Sequence, residues 1–302
     1  PGPVVPPQAY ACGFLSFNLG RNLSMRRHNK KHRTIRKCKS GPNFTGQHLL
    51  HNPKTIQRLI EAASLQPTDT VLEIGAGRGV LTFPVAEIAG KVLAVEVDAD
   101  FANTLRAKAK PYPQITVIQG DIREVRLPAR PFSVVANLPF SITTAILAKL
   151  LGSEGRAFQR GAFILEHGAA RRFTQPVTLD PRLLMWRMIF EFEMGTAVPR
   201  THFAPPPRVD AAIVRIARRP CPLISATEGK RFIAFAAYAL SEPRRVASDA
   251  FKGIFTPAQL STACKNAKVA PEQAVALLTL DQWASLYHAM LRHAAPYRWP
   301  KG

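Results

Sequence analysis

The stretch Thr70-Val71-Leu72-Glu73-Ile74-Gly75-Ala76-Gly77-Arg78-Gly79 decides the fold. Five residues of strand character run directly into three glycines separated by single residues, and Leu81, Val85 and Ile88 then recur at helical intervals. A strand, a glycine turn and a helix are predicted in that order. Glycines at such a turn allow left-handed backbone and let a ligand approach the main chain closely. Upstream, Asn52 and Pro53 give an N-cap and first-turn proline to a helix with Ile56, Leu59, Ile60 and Ala63 on one face, ended by Gln66-Pro67. Downstream, apolar runs predict strands at 91–97, 115–119, 132–136 and 162–165, and a closing antiparallel pair at 188–198 and 209–216. The alternation of strands and helices is that of an α/β protein with a largely parallel sheet.

The strand ends carry polar groups. Glu96 lies 21 residues beyond Gly75, the spacing of a carboxylate that holds ribose hydroxyls. Gly120-Asp121-Ile122 follows the third strand, where Asp121 is placed to accept from an adenine amino group. Each carboxylate taken singly also reads as a helix cap or a solvated loop residue. Strand, glycine turn and acid are shared with nicotinamide dehydrogenases, but Gly-x-Gly-x-Gly departs from the dinucleotide fingerprint Gly-x-Gly-x-x-Gly and weighs against a pyrophosphate.

The fourth strand runs into Asn137-Leu138-Pro139-Phe140, at the edge of a parallel sheet where ligands bind. An exocyclic amino group is a poor nucleophile because its lone pair is delocalised. Acceptors that hold its two N–H bonds draw the nitrogen toward tetrahedral geometry. The Asn137 side-chain oxygen is one such acceptor, and the Leu138 carbonyl, aimed by Pro139, is a second. Phe140 offers a face on which an extruded base stacks, worth about 1–3 kcal/mol. The quartet alone is equally a turn; its place in the chain favours amino methylation. Ser141 is the predicted cap of the next helix, with Ile142, Ala145, Ile146 and Leu150 as its apolar stripe. A proline-rich loop, 199–208, holds Phe203, for which two readings stand: a ring held against a flipped base, or core packing. His202 has no second ligand at metal spacing.

The composition bounds the rest. The 302 residues are 46% hydrophobic, enough for one large domain and a small one, and no apolar run reaches the roughly 18 residues of a membrane helix. A soluble, cytoplasmic protein is expected. Cys12, Cys38, Cys221 and Cys264 form no Cys-x-x-Cys pair, so neither a zinc site nor a disulfide framework is indicated. The formal charge of +21, from 41 Lys and Arg against 20 Asp and Glu, calls for a polyanionic partner. Nine of the basic residues fall between Arg21 and Lys39, among them Arg26, Arg27, Lys30, Lys31, Arg33, Arg36 and Lys37. Either a solvated tail or an arm that neutralises RNA phosphates fits this block, and the overall charge favours the arm. The chain is thus divided into a flexible extension over 1–39, a ligand-binding domain over 40–219 and a helical domain over 220–302. Arg218-Arg219-Pro220-Cys221-Pro222 is the expected linker. In the helical part Phe232, Phe235, Ala236 and Ala239 mark one amphipathic helix, and 277–290 holds another.

Gly46-Gln47-His48, Glu73-Ile74-Gly75-Ala76-Gly77, Glu96, Gly120-Asp121-Ile122, Asn137-Leu138-Pro139-Phe140 and Phe203-Ala204-Pro205-Pro206-Pro207 occur in one order over residues 43–302. In this the chain resembles the Erm rRNA adenine-N6 methyltransferases, within the wider group that includes the small-subunit rRNA dimethyladenosine transferases. The resemblance implies a Rossmann-like class I methyltransferase fold: a mostly parallel seven-stranded sheet, an antiparallel closing hairpin and a small C-terminal helical RNA-binding domain. It implies S-adenosylmethionine as cofactor, held by Gln47, His48, Leu49, Glu73, Gly75, Gly77, Glu96, Asp121, Ile122 and Asn137. Catalysis falls to Asn137, Leu138, Pro139, Phe140 and Phe203. RNA contacts fall to the arm and to Arg171, Arg172, Arg244 and Arg245. A monomer without metal, acting on 23S rRNA before the ribosome is fully assembled and so conferring macrolide, lincosamide and streptogramin B resistance, is implied. Small-subunit 16S rRNA is the alternative substrate, and a non-catalytic RNA binder on the same fold the third. His48-Leu49 stands where many relatives have Asn-Phe, and Phe140 where many have Tyr.

Overall fold

The structure, a computed structural model, describes residues 48–301, so Gln47 and the basic arm lie outside the described residues. Strand β1 (Leu49–Leu50) is followed by α1 (Pro53–Ala63), β2 (Thr70–Ile74), α2 (Thr82–Ala86), β3 (Lys91–Glu96), α3 (Ala99–Ala109), β4 (Ile115–Gln119) and β5 (Phe132–Asn137). Next come α4 (Thr143–Leu151), β6 (Phe158–Glu166), α5 (His167–Thr174), α6 (Pro181–Ile189), β7 (Phe190–Val198), β8 (Phe203–Ala204) and β9 (Ala211–Arg218). Helices α7 (Gly229–Ala239), α8 (Ala247–Ala250), α9 (Pro257–Asn266) and α10 (Leu280–His293) complete the chain.

Seven strands form one sheet in the order β4-β3-β2-β5-β6-β9-β7, and the first five run parallel. Strand β9 inserts between β6 and β7, antiparallel to both, which is the expected closing pair. Period-two patterning divides the side chains cleanly. Val71, Val92, Val135, Ala162, Ile164 and Ile213 pack with Leu59, Ile60 and Ala63 of α1 on one face. Leu72, Ile74, Val134, Ala136, Phe163, Leu165 and Val214 meet α4 to α6 on the other. The sequence order places β2 and β5 side by side where the direction of winding reverses, and the crevice above their carboxyl ends is where such sheets take ligands.

Four local expectations are corrected. The helix after the glycine turn stops at Ala86, because the Val85 carbonyl takes the N–H groups of both Ile88 and Ala89; Ile88 is left 40% exposed. Ser141 caps nothing: it lies in a 3₁₀ turn, Phe140–Ile142, in which the Ile142 N–H and the Thr143 hydroxyl both donate to the Pro139 carbonyl. The stripe of α4 is consequently Ile146, Leu147, Leu150 and Leu151, with Ala145 exposed. The strand expected from 188 starts at Phe190, since Asp180 accepts from the N–H groups of Arg182 and Leu183 and starts a helix at Pro181.

The fourth correction concerns the linker. Architecture changes from sheet to helices near residue 219, but the described residues fall in one compact unit and one apolar core runs from Leu72 to Ala294. The Arg219 N–H donates to the Ile189 carbonyl and its guanidinium to Glu191, while the Leu223 N–H donates to Met188. Phe235 of α7 is fully buried, stacked on Phe251 at 5.1 Å and edge-on to Trp283 and Tyr287. Phe235→Ala should therefore destabilise by about 3–5 kcal/mol, the usual cost of removing a buried aromatic, and should lower the unfolding midpoint of the whole described unit in a single transition. Calorimetry that resolves a separate early transition would show that residue 219 is an energetic boundary after all.

Candidate active site

The glycine turn is built by backbone geometry that only glycine adopts at no cost. Gly75, Gly77 and Gly79 have φ of +76°, +52° and +86°. The N–H groups of Gly75 and Ala76 both donate to the Val95 carbonyl, which binds the turn to β3. A Cβ on Gly79 would stand 2.7 Å from Leu105 and Phe83, so helices α2 and α3 close on this glycine.

Glu96, at the end of β3, is 4% exposed. Its Oε2 accepts from the Gly77 N–H at 2.7 Å and its Oε1 from the Asp98 N–H at 2.9 Å. A carboxylate has about four acceptor sites, so two remain for a ligand. Asp98 then caps α3 by accepting from the N–H groups of Asp100 and Phe101, which turns Phe101 toward the crevice.

Asn137 sits across the switch point from Gly75. Its Nδ2 donates to the His48 carbonyl at 2.8 Å, which fixes the amide plane and leaves Oδ1 as its acceptor. The Leu138 N–H is anchored on the Ile164 carbonyl of β6 at 3.2 Å. Phe140 is half-buried, with the His48 ring 6.0 Å away. Nδ1 of His48 lies 2.8 Å from the Pro205 carbonyl and must donate to it. His48 thus joins three segments: its carbonyl holds Asn137, its ring flanks Phe140, and its imidazole N–H ties the proline-rich loop. That loop is also held by pairing of β1 with β8, Leu49 against Ala204 and Leu50 against Phe203.

The resulting crevice is lined by His48, Leu49, Gly75, Gly77, Glu96 and the Asn137-Leu138-Pro139-Phe140 quartet, with Val97 and Phe101. It brings together most of the residues singled out from the sequence. The others fall elsewhere. Glu73 lines a second, adjoining cavity. Asp121 stands at the carboxyl end of β4 but is gripped by Arg123, whose Nε and Nη2 both reach its carboxylate; these bonds hold its pKa below the usual range. Ile122 is buried in the main core, so its side chain does not reach the crevice. Phe203 is 2% exposed among Leu50, Val198 and Ile213, and of its two readings its burial matches packing. Arg171, Arg172, Arg244 and Arg245 are exposed; Arg172 donates to Thr144, and Arg245 pairs with Glu242. Sequence reading missed Phe101 and Val97. The available signal was an aromatic three residues after the capping Asp98.

A donor with a sugar, a purine and a charged amino-acid tail fits this arrangement. Close backbone approach is possible at Gly75, where among the described residues only the Asn137 carbonyl, at 3.8 Å, would meet a Cβ. Glu96 has lone pairs to spare, and one oxygen of the buried Glu73 carboxyl has no partner among the described residues. No group of three or more His, Cys, Asp or Glu is placed to hold a metal among the described residues, and no helix there is long and apolar enough to cross a membrane.

Comparison with known proteins agrees with this geometry. Residues 39–291 match the family described as ribosomal RNA adenine dimethylase. An rRNA adenine N-6-methyltransferase of Bacillus licheniformis is 40% identical over 282 residues, covering 92% of this chain and 97% of the relative. The ribosomal RNA small subunit methyltransferase A of Dehalococcoides mccartyi is 31% identical over 249 residues, covering 80% of this chain and 85% of that protein. The crystal structure of the 23S rRNA methyltransferase ErmE superposes with a TM-score of 0.72 at 29% identity, over 81% of this chain and all of that one. Glycine turn, buried Glu96 and Asn-Leu-Pro-Phe quartet stand at one crevice, and the chain belongs to the ribosomal RNA adenine dimethylase family, as an S-adenosylmethionine-dependent rRNA adenine-N6 methyltransferase.

Proposed function

We propose that the substrate is an adenine of 23S rRNA near the peptidyl transferase centre, and that its methylation confers macrolide, lincosamide and streptogramin B resistance. The observation that carries this reading is the likeness to the 23S rRNA methyltransferase ErmE, which extends over 81% of this chain and all of that one. The protein acts in the cytoplasm as a monomer, on rRNA not yet buried in a finished ribosome.

The residues divide the work. Glu96 and the glycine turn hold the donor, which supplies an electrophilic methyl group on a sulfonium. Asn137 Oδ1 and the Leu138 carbonyl accept the two amino N–H groups of the target adenine. Pro139 brings no competing donor, and its own carbonyl is already taken by Ile142 and Thr143. Phe140 supplies the stacking face. No general base is required if the proton leaves after transfer, because the methylated amino group is then a cation and a strong acid. Arg171, Arg172, Arg244 and Arg245 meet phosphates, contacts that position the RNA without reading its bases.

The test is to present purified 23S and 16S rRNA, separately, to the enzyme with labelled S-adenosylmethionine and to map the product by mass spectrometry. Label on an adenine N6 of 23S rRNA is the expected result, together with macrolide tolerance in cells that express the protein. Label confined to 16S rRNA would move the chain to the small-subunit branch and leave the chemistry intact.

A further inference from the structure

A second cavity adjoins the first and shares Leu49, Gly75, Gly77 and Asn137 with it. Its notable group is Glu73, a carboxyl 1% exposed at the middle of the sheet. Thr82 donates its hydroxyl to Oε2 at 2.6 Å, and Oε1 is buried with no partner among the described residues. An ionised carboxylate in such a place loses its hydration with little return. Burial, helped by the negative charge of Glu96, pushes the Glu73 pKa up to about 8, although the Thr82 bond pulls it down. At neutral pH the empty site therefore holds mostly the neutral acid.

S-adenosylmethionine carries a sulfonium, an α-ammonium and one carboxylate, a net positive charge, and the glycines expected to hold it line both cavities. We infer that cofactor uptake is coupled to loss of the Glu73 proton, the ligand's positive charge replacing that proton as the neutralising partner of the buried carboxylate. This rests on the cofactor site described above. Among the described residues, the charged groups facing Glu73 are few. Glu96 lies across the turn on β3, Arg78 is on the turn with its guanidinium 5.9 Å over the Phe101 ring, and His51 follows β1. Thr82 of α2 and Asn137 of β5 are neutral. Both carboxylates have the same sign, so a bound cation relieves the repulsion between Glu73 and Glu96 as well.

The sign of the pH effect follows. A carboxyl protonated in the empty protein and ionised in the complex makes binding tighten as pH rises toward about 8 and level off above it. Where the coupling is complete, the dissociation constant changes roughly tenfold per pH unit, one proton being exchanged per ligand.

Calorimetry of S-adenosylmethionine binding at pH 7, in two buffers of different ionisation enthalpy, counts the protons directly. The parent should release close to one proton per ligand. Glu73→Gln should bind and release close to none, with an affinity flat in pH. His51→Gln should release as the parent does, which separates Glu73 from the nearest imidazole. Thr82→Val keeps the acid and removes the hydroxyl that donates to it, so its pH dependence should shift upward. That variant carries the test if Glu73→Gln melts early. Binding without proton release in the parent, or equal release in Glu73→Gln, overturns the inference and leaves the cofactor site standing. If the parent binds no S-adenosylmethionine at all, the cofactor site and the inference fall together.

Discussion

Asn137→Ala should bind S-adenosylmethionine with little change and lose about 10²–10³ in turnover, the loss typical of one preorganised polar contact to developing charge. The Asn137 amide is already committed to one orientation, because Nδ2 donates to the His48 carbonyl. In the proposed role its Oδ1 would meet the adenine amino group without reorganising, and the contact would strengthen as that nitrogen leaves the ring plane. An interaction made mainly in the transition state appears in turnover rather than in affinity. Phe140 acts earlier. Phe140→Ala should weaken base capture and rate together, whereas Phe140→Tyr retains the face and should stay active. Single-turnover methyl transfer to an rRNA fragment, paired with calorimetry of the cofactor, separates these effects. If Asn137→Ala transfers methyl at the parental rate, or fails only because it no longer binds cofactor, the quartet is not the catalytic centre.

Glu96→Ala should weaken cofactor binding by roughly 10- to 150-fold, corresponding to the 1.5–3 kcal/mol of a charge-assisted hydrogen bond. Part of that loss is indirect. Glu96 already accepts from the Gly77 and Asp98 N–H groups, so the carboxylate proposed to meet the ribose also sets the turn beside it. Glu96→Gln keeps one acceptor and should fall between parent and Ala variant. Calorimetry showing unchanged affinity in Glu96→Ala would remove the ribose assignment.

The parts of the fold that were legible in the sequence are those set by local pattern. Strand β2 begins and ends where its apolar run does, and Asn52-Pro53 starts α1 as capping chemistry requires. Asn137 and Gly75 were placed at one crevice because a parallel sheet brings its carboxyl ends together. What escaped was set by contacts distant in sequence. Leu50 pairs with Phe203 across more than 150 residues, so nothing local marks either segment as a strand or decides which way the Phe203 ring turns. The shared core under residues 218–222 was hidden because two prolines and a charge cluster have the composition of a tether. Asp121 was legible as a strand-end acid, but its pairing with Arg123 is a side-chain conformation that spacing does not specify.

The core passes unbroken from the sheet into helices α7 to α10. If Arg244 and Arg245 meet RNA phosphates as proposed, the packing and the hydrogen bonds around residue 219 hold them at one span from Asn137. An RNA that reaches both must present its adenine and its phosphates at that span. Selection among adenines in similar sequence then becomes a matter of measured length, and inserting or deleting one nucleotide between target and flanking helix should cost more than changing a base there.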